Sequence, residues 1–159
     1  MRVLGIDPGI ERTGFAVVDI DGHRMVAHEY GCVTTLAGQP LPQRLTELRR
    51  DLAALIAQHK PDAAVVEQLV FVHNATSAAA VGAARGVILL VLAEAGLPIS
   101  EYAPAQVKQA VAVGGAGSKG DVGRAVALIF QLPGVPQPDD AADALALTVC
   151  HASQVAVGA

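Results

Sequence analysis

The chain has 159 residues, 52% of them hydrophobic, with three Phe, two Tyr, no Trp and a formal net charge of −4. That length suits one domain over residues 1–159, with a core built from Ala, Val, Leu and Ile. Two distant cysteines, Cys32 and Cys150, exclude a disulfide framework and read as buried thiols, and the longest apolar run, Val87 to Ala93, is too short to span a bilayer.

The N-terminus runs straight into the strand Arg2 to Asp7 with no basic and apolar leader, so a cytoplasmic protein is expected. Pro8-Gly9 marks a turn, Thr13 to Asp19 a second strand, Asp21-Gly22 a hairpin, and Met25 to Thr34 a third strand. These make an antiparallel meander that starts from a central strand. Residues 41–59 carry Leu41, Leu45, Leu48, Leu52, Leu55 and Ile56 on one helical face. Pro61-Asp62 ends that helix before a strand over Ala63 to Glu67. Asn74 or Thr76 caps a long helix through Ala95 that is rich in Ala and Gly, with Gly82 and Gly86 as a candidate interface. A short strand follows over Ile99 to Tyr102, then a helix over Pro104 to Val113 with Pro in its first turn. Gly114 to Gly120 reads as a flexible loop, Asp121 as the cap of a helix through Phe130, and Asp139 as the start of the final helix. The order is βββαβαβααα, a five-stranded mixed α/β sheet flanked by helices.

Four carboxylates stand where strands end or helices begin. Asp7 closes Gly5-Ile6-Asp7, Glu67 closes Ala63-Ala64-Val65-Val66-Glu67, and Asp140 and Asp143 project from one face of the final helix. A charged residue ending an apolar strand needs a partner or a metal; a simple turn or strand end is the alternative. For Asp140 and Asp143 the alternative is helix capping and the dipole. Asp139, directly after Pro138, is the natural cap. If the segments converge they form an all-oxygen cage suited to magnesium and to two-metal phosphodiester chemistry. Thr13-Gly14 would leave an uncrowded surface beside Asp7 for a phosphate or metal.

The charge does not exclude nucleic acid. Of 15 Asp and Glu, setting aside the four candidate carboxylates leaves the remainder balanced against 11 Lys and Arg. Lys108 and Lys119 fall at the same edge of the sheet, where Lys119 could follow a phosphate backbone; a solvated surface lysine is the alternative. The glycine run is not a Walker A loop, and no histidine stands in a triad or metal-ligand spacing.

Taken in order, Gly5-Ile6-Asp7-Pro8-Gly9, Thr13-Gly14, Glu67-Gln68, Asn74, Ala84-Arg85-Gly86, Tyr102-Ala103-Pro104, Val107-Lys108 and Asp140-Ala141-Ala142-Asp143-Ala144-Leu145-Ala146 closely resemble the RuvC family of Holliday-junction endonucleases, over essentially the whole chain. The resemblance implies a ribonuclease H-like fold. It implies Asp7, Glu67, Asp140 and Asp143 as catalytic, metal-binding residues, and Lys108 and Lys119 as DNA contacts. It further implies a homodimer that nicks two strands of a four-way DNA junction during recombination and repair, in cooperation with the RuvA–RuvB branch-migration complex. The family usually has an aromatic three residues after the Glu; here that position is Val70, and Phe71 is the nearby candidate for the role.

The expected mechanism uses two Mg²⁺ or Mn²⁺ ions per subunit, roughly 4 Å apart. Asp7 bridges them from the central strand, Glu67 and Asp140 complete the coordination, and Asp143 acts as ligand or water positioner. Two rival readings stand beside this one. An actin-like ATPase needs about twice this length and a second phosphate loop. A silent DNA-binding module has no need of four carboxylates.

Overall fold

The computed structural model describes residues 1–69, 75–112 and 119–158. Five strands are β1 (Arg2–Asp7), β2 (Arg12–Asp21), β3 (Arg24–Thr34), β4 (Ala63–Glu67) and β5 (Ile99–Tyr102). The helices are α1 (Leu41–His59), α2 (Ala75–Glu94), α3 (Pro104–Val111), α4 (Lys119–Ile129) and α5 (Asp139–Gly158). The strands lie in the order β3-β2-β1-β4-β5, with β1 central, β1–β2 and β2–β3 antiparallel, and β1–β4 and β4–β5 parallel.

Alternation of side chains sorts the core into two layers. Leu4, Ile6, Val17, Ala64 and Val66 face Leu48 and Leu52 of α1 and Ala84, Ile88 and Leu92 of α2. Val3, Ala16, Val18 and Val65 face the other way, onto Ala144, Leu145, Leu147 and Val149 of α5 and the valines of α3 and α4. In α1 the predicted leucine face is buried through Leu48 and Leu52, while Leu41, at the helix start, stays exposed. Lys60 stops α1 in the left-handed conformation (φ 48°), with its N–H donating to the Ile56 carbonyl at 2.8 Å.

Several boundaries differ from the sequence expectation. The helix α4 begins at Lys119, so Asp121 is its third residue rather than its cap, and Lys119 and Gly120 belong to the helix rather than a loop. Helix α3 ends at Val111, two residues early. Cys150 is buried in α5, but Cys32 is only half-buried because β3 is an edge strand. Val70, Phe71, His73 and Asn74 lie outside the described residues, as do residues 113–118 of the glycine run. Among the described residues no helix is long and apolar enough to cross a membrane.

Candidate active site

Ile6 pairs with Val66 in the parallel register, which leaves Asp7 and Glu67 side by side at the carboxyl ends of β1 and β4. This is the edge where open α/β sheets place ligands. Both residues continue the alternation of Val3 and Val65, so both face α5.

Two glycines set the position of α5. A Cβ at Gly14 would fall on the Asp140 carbonyl oxygen; one at Gly5 would fall on the Ala144 carbonyl oxygen and lie 2.8 Å from Thr148 Cγ2. Asp140, Ala144 and Thr148 are one turn apart, so a single stripe of α5 rests on β2 and β1 through bare backbone. The sequence suggests open space beside Asp7 at Thr13-Gly14. The structure fills that space with the first turn of α5, and the absent side chain serves the helix rather than a ligand. Thr13 itself is buried, its hydroxyl donating to the Gly9 carbonyl at 2.7 Å across the turn after Asp7.

The result is a cavity of about 310 Å³ whose walls include Asp7, Glu67, Asp140 and Asp143, all four predicted carboxylates. Asp139 lines it too. The Ala141 N–H donates to the Pro138 carbonyl at 2.9 Å, and α5 starts at Asp139 as expected, so Asp139 belongs to the first helical turn rather than being a cap set apart from the cage. Lys108, exposed in the last turn of α3, lines the same cavity, as the sequence anticipates. Lys119 is the first residue of α4. Arg12 is the lining residue that sequence reasoning misses. Its only signal is the two-residue spacing to Gly14, which puts both on the α5 face of β2.

Electrostatics mark the site. Burial pushes the Asp7 carboxyl up to about 8, with the charges of Glu67, Asp143 and Asp140 adding to the effect and a hydrogen bond shared with Glu67 contributing least. Arg12 Nε stands 3.0 Å from Asp140 Oδ2, yet that oxygen is buried without a hydrogen bond, so the contact is an ion pair at a poor hydrogen-bonding angle. Among the described residues no group of three or more His, Cys, Asp or Glu is arranged to hold a metal ion as it stands. Among the neighbouring charges, that of Glu67 acts most strongly on Asp7. The donor chemistry nevertheless fits a hard divalent ion. Every donor is a carboxylate oxygen, and the repulsion that raises Asp7 is what a cation would relieve.

His151 lies away from this cavity, buried, with Nδ1 2.9 Å from the Tyr102 hydroxyl. That contact ties α5 to the end of β5.

The family model described as crossover junction endodeoxyribonuclease RuvC matches residues 3–151. The chain belongs to the RuvC family. It is 50% identical over 152 residues to the RuvC of Chloroflexus aggregans, covering 96% of this chain and 93% of that one. It is 48% identical over 151 residues to the RuvC of Thermomicrobium roseum, covering 95% and 92%. The solved structure of T. thermophilus RuvC in complex with Holliday junction substrate superposes with a TM-score of 0.89 at 33% identity, covering 99% of this chain and 97% of that one. RuvC structures have the ribonuclease H-like fold, and the five-stranded mixed sheet with its flanking helices is that fold here. RuvC relatives are nucleases that hydrolyse phosphodiester bonds, and membership of this family implies a divalent-metal requirement.

Proposed function

We infer that this chain is a structure-specific endonuclease that resolves Holliday junctions by symmetric, metal-dependent nicking of two strands during recombination and DNA repair. The observation that carries the reading is that Asp7, Glu67, Asp140 and Asp143 line one cavity in a chain of the RuvC family.

Asp7, Glu67, Asp140 and Asp143 are the residues that would hold the metal, with two Mg²⁺ or Mn²⁺ ions per subunit as the proposed complement. Such ions supply charge neutralisation at the scissile phosphate and an activated water. The chain supplies placement. Asp7 and Glu67 are fixed by adjacent strand ends, and Asp140 and Asp143 by a helix held on glycine contacts. Lys108, exposed beside the carboxylates, is a proposed contact for a phosphate backbone, supported by its place in the cavity wall. Lys119 and Phe71 are proposed DNA contacts on the family resemblance. The whole of residues 1–159 acts as one nuclease domain in the cytoplasm.

A homodimer supplies the two sites that symmetric nicking needs. Helix α2 buries Ala84, Ile88 and Leu92 against the sheet and leaves Gly86 and Leu90 exposed. A Cβ at Gly82 or Gly86 would meet nothing within 4 Å, so a second copy can approach this helix closely. Cooperation with RuvA–RuvB completes the proposal.

The test is nicking of synthetic four-way junctions of varied sequence with Mg²⁺ against Mn²⁺. Paired nicks at symmetric positions are expected, and Asp7→Asn should abolish them while junction binding persists. Full cleavage by Asp7→Asn would sink the assignment. ATP binding without nicking would favour the phosphate-loop reading instead.

A further inference from the structure

Building on the metal-site reading above, we propose that Arg12 is a DNA-phosphate contact held on Asp140 until a divalent ion takes that carboxylate. Arg12 opens β2 on the face that meets α5, two residues before the glycine on which Asp140 rests. Its Nε lies 3.0 Å from Asp140 Oδ2, and its side chain is 58% exposed against 26% for the aspartate. The arginine therefore reaches in from the cavity mouth to a more buried carboxylate.

Two features make the contact exchangeable. The pair is partly solvated, and such pairs contribute little net stability. Asp140 Oδ2 is buried without a hydrogen bond, so the guanidinium neutralises the oxygen without satisfying its geometry. A divalent ion carries twice the charge and takes carboxylate oxygen directly. Once displaced, the guanidinium stays on the cavity rim beside the carboxylates. A planar fork of donors there matches the oxygens of a phosphodiester. Metal loading would thus convert an internal ion pair into a DNA contact, and affinity for the junction would depend on the ion through Arg12.

The experiment measures the affinity of wild type and Arg12→Gln for a synthetic four-way junction by fluorescence anisotropy, in EDTA and in Ca²⁺. Arg12→Gln should weaken binding about tenfold in Ca²⁺ and less than about twofold in EDTA, with the salt slope reduced by about one in Ca²⁺ alone. In an Asp140→Asn background the arginine has no carboxylate to hold it, so the tenfold loss should appear in EDTA too. Equal losses under both conditions in the wild-type background, or no loss in Ca²⁺, would overturn the proposal. Calorimetry with Ca²⁺ separates this from the site reading. If Asp140→Asn leaves Ca²⁺ uptake intact, the carboxylate site itself is wrong. If uptake falls but the Arg12 effect is the same with and without metal, only the role of Arg12 fails.

Discussion

Gly14 and Asp140 touch through backbone alone: a Cβ on residue 14 would occupy the place of the Asp140 carbonyl oxygen. Gly14 also pairs with Asp7 across the β1–β2 ladder. One glycine therefore sets the distance between Asp7 of the central strand and Asp140 of α5.

Gly14→Ala should destabilise the protein by about 1–3 kcal/mol, because a backbone obstacle cannot rotate away. Cleavage should fall at least about tenfold as Asp140 is pushed from Asp7, in line with the sensitivity of catalysis to small displacements. Urea unfolding and junction nicking measure the two effects. An alanine variant with wild-type stability and rate would show that α5 can shift freely.

Without metal, Asp7 should make the protein less stable as pH rises. Its carboxyl is raised from 3.8 to about 8 in the folded state by burial and by Glu67, Asp143 and Asp140. Between those values the folded chain keeps a proton that the unfolded chain has lost, so this contribution is complete below about 4 and gone above about 8. Its slope is at most about 1.4 kcal/mol per pH unit. Asp7→Asn removes that slope, so in EDTA at high pH the variant should be the more stable protein by more than about 1 kcal/mol. Thermal or urea unfolding against pH checks it; parallel curves for the two proteins would refute it.

Divalent cations should stabilise the folded chain at the same carboxylates. At a concentration near 100 times the dissociation constant the gain is about 2.7 kcal/mol, visible as a raised Tm. Asp7→Asn and Asp140→Asn should each shrink the shift. Chelation with EDTA should reverse it and stop nicking.

The Tyr102 hydroxyl and His151 Nδ1, 2.9 Å apart, join β5 to α5 behind the site. Tyr102→Phe leaves a buried ring nitrogen without that partner and should destabilise by about 1–3 kcal/mol. Burial also lowers the His151 pKa from 6.5. The unfolded chain thus binds a proton more readily, and stability from this residue is lost as pH falls below about 6.5. His151→Gln should remove that acid sensitivity in urea titrations.

Local signals account for most of what was legible in the sequence. β1 and β4 are continuous apolar runs ended by an acid, so Asp7 and Glu67 could be placed at strand ends before any fold was known. The leucine spacing of α1 gave bounds that the structure repeats. The start of α4 was not legible, because Lys119-Gly120-Asp121 has turn chemistry and local propensity is a weak guide to where a helix begins. Asp139 departs from the expected cap for a related reason. Its first-turn position suits either a cap or a cavity wall, and only the packing of α5 on β2 distinguishes them.

The sequence by itself determined the order of elements and the four carboxylates, because periodicity and strand-end charge are written in neighbouring residues. Tertiary structure decided how those carboxylates meet. Parallel register set Asp7 beside Glu67, glycine backbone let α5 descend on them, and that crossing brought Arg12 to Asp140. Such contacts join residues 60 or more positions apart, and their distances depend on which atoms are missing as much as on which are present.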